Sequence, residues 1–342
     1  MGRLIGVALT GFVAAAAAAS GFFAASAQER SLLDRCWTRE ALAGTAGELK
    51  PSRTHAKLDL KALKAMALPA IPPVSPELRG SIRSVTLPPG QKLIALTFDL
   101  CEADGLAAGY DGRVVDLLRA ERVKATFFAG GKWLATHEER AAQLLADSNF
   151  EIGSHGFRHR DMARLGGEAL RDEIRLTSAA YARAREALLA RQCASPGAPG
   201  PNPPAQMSLM RFPYGRCSAA ALAAVADEGQ LAIQWDVVTG DPDPHRSAKA
   251  IAATILAKAH PGAIVVAHAN GRGKRTAEAL AIAIPKLKEE GYSFVTVSEL
   301  LAAGTPVIAA SCYLDHPRTK SRISRVSHAQ RHKRPRLLGA AR

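Results

Sequence analysis

The sequence predicts an α/β protein built as a closed or nearly closed (β/α) barrel, with an N-terminal helical accessory segment in front of it. Three observations predict it. From Lys92 onward, short apolar runs alternate with longer amphipathic stretches, the pattern of parallel strands joined by helical crossovers. Seven such runs fall within about 210 residues, which suits a barrel better than an open doubly wound sheet. The residues able to do chemistry sit at or just past the carboxyl ends of these runs, and in a parallel barrel those ends share one face.

Taken in chain order, residues 1–27 read as an export signal. Arg3 gives the positive start, Leu4 to Phe23 is apolar and alanine-rich, and Ala25-Ser26-Ala27 is a small-residue cleavage site before Gln28. A retained membrane anchor is the alternative, since the run is long enough to span; its weak hydrophobicity favours cleavage. The chain is therefore expected to act in the periplasm or outside the cell. Residues 28–90 form an accessory or linker segment, broadly helical from Ser31 to Leu68 and then broken by Pro69, Pro72, Pro73 and Pro76.

The catalytic domain is expected over 91–303. Its strands are Leu93–Phe98, Val123–Ala129, Phe150–Gly153, Leu209–Pro213, Leu231–Val237, Ala263–His268 and Ser293–Val297. The helices between them are Arg113–Glu121, Glu138–Asp147, Glu168–Ala190, Ser218–Glu228, Ala248–Ala259 and Thr276–Glu290. The stretch from Pro196 to Pro204 leads from a helix into a strand and so belongs on the face opposite the chemistry. Residues 304–342 form a C-terminal extension ending in a basic tail. From Arg318 to Arg342 it holds nine Lys or Arg and no acid, a composition of disorder.

The net charge of +14 is concentrated in that tail, so it does not indicate a nucleic-acid partner. The tail could touch an anionic envelope polymer, or be a solvated terminus with no specific role. Five cysteines in an exported chain imply two disulfides and one leftover thiol. Cys101 and Cys217 both follow strand ends on one face, which suggests that they pair. Cys36 and Cys312 flank the domain and could staple its ends, leaving Cys193 free.

Five segments carry the candidate site: Thr97-Phe98-Asp99, His155 to His159, Arg211 to Gly215, Trp235-Asp236 followed by Asp241, and Val265-Val266-Ala267-His268. Two histidines four apart on a turn of helix reach one metal ion, and zinc is the default for imidazole with carboxylate. Asp99 ends an apolar strand, where a buried structural aspartate is the ordinary reading, and Arg211 could be only a structural ion pair. His268 ends another apolar strand, where a satisfied core histidine is the ordinary reading, and Trp235 could be plain core.

The order and wording of these segments resemble the polysaccharide deacetylase family (carbohydrate esterase family 4), which includes chitin, peptidoglycan and nodulation-type chitooligosaccharide deacetylases. The resemblance covers roughly 92–301 and implies an irregular barrel of seven or eight parallel strands. It implies metal-dependent removal of acetyl groups from N-acetylated sugars, with zinc, or cobalt or a similar ion, held by His155 and His159. Asp99 would be the general base, positioned by Arg211. His268 would be the general acid, oriented by Asp241. The Tyr214 backbone N–H would stabilise the oxyanion, and Val266 and Trp235 would line the acetyl pocket.

One departure stands out. The family's first motif carries two consecutive aspartates, the second a metal ligand, and here the second position is Leu100. Glu102 is the expected replacement, with Asp104 also within local reach. If neither serves, a non-catalytic sugar-binding protein of the same fold becomes the alternative. Within enzymes, O-acetyl esterase or small N-acyl amide hydrolase activity is the runner-up.

Overall fold

The computed structural model describes residues 31–50, 58–103, 108–194 and 202–313. The export signal, the basic tail, Asp104 and most of the Pro196–Pro204 stretch lie outside the described residues.

Ten strands form one curled, mostly parallel sheet. They are β1 (Ser81–Thr86), β2 (Leu93–Leu100), β3 (Ala125–Ala129), β4 (Phe150–Ser154), β5 (Leu209–Met210), β6 (Leu231–Ile233), β7 (Val237–Val238), β8 (Ile264–His268), β9 (Ser293–Phe294) and β10 (Thr305–Ala309). Their order is β10-β1-β6-β5-β4-β3-β2-β8-β7, with β9 beside β2. β2 and β3 are buried along almost their whole length, as expected of parallel strands covered on both faces. The segment Leu231–Val238 nearly closes the barrel, because its first half pairs with β5 and β1 while its second half pairs with β8.

Two of these strands lie in the segments that flank the expected catalytic domain. β1 pairs in parallel with β6 and antiparallel with β10. The Val85 N–H also donates to the Gly262 carbonyl at 2.9 Å, which ties β1 to the turn before β8. A Cβ on Gly262 would lie 1.7 Å from the Val85 oxygen, and Gly262 has φ +85°, so glycine is required there on two grounds.

Helices cover the outside of the sheet. They are α1 (Leu32–Cys36), α2 (Arg39–Leu42), α3 (Leu60–Ala65), α4 (Gly112–Ala120), α5 (Gly131–Thr136), α6 (Glu138–Ala146), α7 (Gly167–Leu189), α8 (Ala219–Asp227), α9 (Ala248–Lys258), α10 (Thr276–Glu289) and α11 (Val297–Ala302). Ser218 and Ser247 cap α8 and α9 by accepting the Ala221 and Ala250 N–H groups. Thr296 and Glu299 form a reciprocal capping box on α11. Among the described residues, no helix is long and apolar enough to cross a membrane.

Among the described residues, the accessory segment holds three short helices, with Gly44 and Gly47 following α2. It is bound to the body by Arg140 of α6. That guanidinium pairs with Glu48 (2.7 Å) and donates to the carbonyls of Ala41, Leu42 and Ala43.

The disulfides differ from the expected pairing. Cys36 bonds Cys193 and Cys217 bonds Cys312, leaving Cys101 free and buried. Long-range packing decides this. α1 lies on the turn Gln192–Ala194, where Arg35 also donates to the Cys193 carbonyl. The chain leaving β10 runs back to the Tyr214 loop, where the Tyr313 N–H donates to the Gly215 carbonyl.

Candidate active site

The site lies at the carboxyl ends of β2, β4, β5 and β8, together with the loop after β7. Parallel register sets Asp99 on β2 directly beside His268 on β8. Residues two apart share a face of a strand, so Thr97 and Asp99 point the same way, as do Val266 and His268.

Arg211 follows β5 and is completely buried. Its Nη1 donates to Asp99 Oδ1 at 3.0 Å and to Thr97 Oγ1 at 2.8 Å, and its Nη2 donates to the Gln234 carbonyl. The guanidinium also stacks 4.0 Å above the Phe128 ring. Burial alone would raise the Asp99 carboxyl, but the charges of His155, Arg211 and His268 outweigh it and hold Asp99 below the usual range. Burial pulls Arg211 down against the opposing effect of Asp99. Asp99 is thus an ionised, fixed carboxylate.

His268 is half-buried, with Nδ1 3.0 Å from Asp241 Oδ1. Burial would lower its pKa, but the hydrogen bond and charge of Asp241, with Asp99 beyond, raise it above the ordinary 6.5. Asp241 is itself held by the Thr239 and Thr276 hydroxyls, at 3.0 and 2.7 Å. The sequence reading missed both threonines, and nothing local marks them.

His155 and His159 meet with ring centroids 5.1 Å apart, but not on a turn of helix. They are brought together across a loop in which Gly156 (φ 72°) and His159 (φ 54°) take left-handed conformations. Glu173 of α7 shapes that loop. Its buried carboxylate accepts the Phe157 and Arg158 N–H groups at 2.9 and 3.0 Å, and burial raises its pKa. Burial lowers the pKa of His155, and burial together with the charge of His155 takes His159 down to about 3. Burial thus disfavours the charged form of both rings, and the neutral form is the one a metal binds.

The donor set fits a divalent ion. His155 Nδ1 donates to the Arg211 carbonyl at 2.8 Å, which fixes the tautomer and leaves Nε2 as an electron-pair donor 3.6 Å from Asp99 Oδ2. His159 Nδ1 is buried with no hydrogen-bond partner among the described residues. The third donor is not Glu102. Its buried carboxylate pairs with Lys132 at 3.1 Å and accepts the Thr136 hydroxyl at 2.7 Å, so the turn after β2 aims it at α5. Leu100 joins the hydrophobic core.

Tyr214 is half exposed with φ 62°, a left-handed conformation costly for a non-glycine residue, and its ring meets the His159 edge at 4.4 Å. Val266 is buried beside β7. Trp235 is half-buried against Tyr313 and lies 5.4 Å from the Arg211 guanidinium. Asp236 is turned elsewhere and pairs with His260.

Comparison with known proteins gives the family. The polysaccharide deacetylase family profile matches residues 86–197. A peptidoglycan-N-acetylglucosamine deacetylase of Bacillus cereus is 30% identical over 218 residues, spanning 63% of this chain and 91% of that protein. A chitooligosaccharide deacetylase of Bradyrhizobium is 29% identical over 228 residues, spanning 62% and 91%. The solved structure of a carbohydrate esterase family 4 pseudoenzyme from Bacillus anthracis is 27% identical, with a TM-score of 0.52 over 65% of this chain and 69% of that one. With the curled parallel sheet and this arrangement of side chains, these likenesses assign the chain to the polysaccharide deacetylase family of hydrolases, carbohydrate esterase family 4.

Proposed function

We propose that this chain is a metal-dependent deacetylase of N-acetylated sugars in an envelope glycan, releasing acetate and leaving a free amino sugar. The observation that carries this reading is the placement of two differently tuned groups on neighbouring strands. Arg211 helps to hold the Asp99 pKa below the usual range, while Asp241 raises that of His268. A site that only binds sugar has no need of such a pair.

A bound divalent ion, zinc or cobalt, supplies Lewis-acid polarisation of the acetamide carbonyl and acidifies water. His155 and His159 would hold it. Asp99 accepts the proton of the attacking water, and Arg211 keeps that carboxylate fixed and charged. The Tyr214 backbone N–H would receive the developing oxyanion, with Val266 and Trp235 walling the acetyl group. His268 then delivers its proton to the departing nitrogen, and Asp241 orients the ring throughout. Residues 1–27 as an export signal, together with two disulfides, support action outside the cytoplasm.

A non-catalytic reading draws on two observations: Leu100 removes the aspartate that the family uses for metal, and one structural relative is a pseudoenzyme. Acetate release from chitin oligomers and from peptidoglycan, with and without chelator, separates the two. Chelator-sensitive release supports the enzyme. Glycan binding with no release from either polymer would sink it.

A further inference from the structure

Cys101 follows Leu100 directly and is withheld from both disulfides. Its sulfur and one ring nitrogen each of His155 and His159 all lie within 4.8 Å of one another, and all three residues are buried. Two groups attend the sulfur from the loop after β8. Asn270 Nδ2 donates to Sγ at 3.1 Å and also binds the Cys101 carbonyl at 2.8 Å, while Arg272 Nη1 lies 3.7 Å from Sγ. Donors arranged around a sulfur suit a thiolate ligand, and such outer contacts fix a ligand's position.

We infer that Cys101 is the third protein ligand, so that this chain binds its metal through a thiolate and two imidazoles. The inference rests on the proposed metal-dependent deacetylase reading and changes its chemistry. Cys101 stands one residue past the position of the missing aspartate, and the turn past β2 brings its sulfur to the two histidines. Thiolate carries the same single negative charge as carboxylate, so the charge balance around the metal is kept. Its softness shifts preference toward zinc and cobalt and away from magnesium or manganese. Three protein ligands leave a coordination position open, as a hydrolytic site needs.

The test is a cobalt titration of the chelator-stripped full chain, read by absorption. The expected result is one equivalent bound, with visible ligand-field bands and an intense near-ultraviolet sulfur-to-cobalt charge-transfer band. C101S should abolish the charge-transfer band and weaken binding by more than the roughly 10–100-fold that loss of an outer contact costs. C101D should bind cobalt without that band, and it remains informative if C101S fails to fold. Ligand-field bands with no charge-transfer band in the wild type, unchanged in C101D, would overturn Cys101 as ligand while leaving the deacetylase reading intact. Failure of the wild type to bind cobalt would overturn the inference. Chelator-insensitive acetate release would, in addition, remove metal dependence from the proposed function.

Discussion

Asp241 holds His268 at two points. Oδ1 lies 3.0 Å from the ring Nδ1, and Oδ2 accepts the His268 backbone N–H at 2.8 Å. Ring and backbone are thus fixed by one carboxylate, which is itself tied down by Thr239 and Thr276. The ring's remaining nitrogen is left to do chemistry.

This arrangement sets a pH profile. His268 has a pKa above 6.5, so its donor form persists as pH rises past that value and is lost only through the raised one. Asp99, held below 3.8, is already ionised across the same range. The kcat/KM profile for acetate release should show a plateau bounded on its alkaline side by His268. D241N removes the charge that raises His268, so the alkaline limb should move to lower pH. An unmoved limb would take His268 out of the donor role.

Replacing Asp99 by asparagine keeps the shape and removes the base. Deacetylation should fall by about 10²–10⁴-fold, the usual worth of a positioned proton acceptor. Metal stoichiometry, measured separately, should stay at one. Loss of bound metal along with activity would mean that Asp99 acts chiefly as a ligand.

Arg211 is wholly buried opposite Asp99, so R211M leaves an uncompensated buried carboxylate. Breaking such a pair costs about 3–5 kcal/mol, and thermal melting should report it. The double variant R211M/D99N should recover part of the loss, because no buried charge remains. Additive losses in the cycle would show that the two side chains are not coupled.

Glu173 contacts neither histidine's ring, yet it accepts both N–H groups that shape the loop between them. E173A should weaken zinc binding by about 10–100-fold, as the loss of an outer support does. Isothermal titration would measure it, and E173Q, which keeps an acceptor oxygen, should retain most of the affinity.

Peptide mapping without reduction should return the pairs Cys36–Cys193 and Cys217–Cys312. Cys101 should react with iodoacetamide only after denaturation, since it is buried and its thiol pKa is raised by that burial. Recovery of a Cys101–Cys217 crosslink from native protein would contradict the structure.

The strands that carry the site were legible as short, largely apolar runs between longer amphipathic stretches. Asp99, His155, Tyr214 and His268 could be placed on one face from that pattern and parallel topology alone. The pairing of His155 with His159 was legible from their spacing, but its cause was not. Left-handed backbone at Gly156 and His159 and the reach of Glu173 replace the expected helical turn.

The sequence by itself determined the alternation of strands and helices, the face that bears the chemistry and the cysteine left over from two bridges. Only the tertiary structure decided which cysteine that is, because pairing depends on where α1 and the chain after β10 come to rest. It also decided between two adjacent side chains. The turn after β2 sends Glu102 to Lys132 and Thr136 and Cys101 to the histidines. Side chains one residue apart at a strand end part company, and neither composition nor spacing says which way the backbone will turn them.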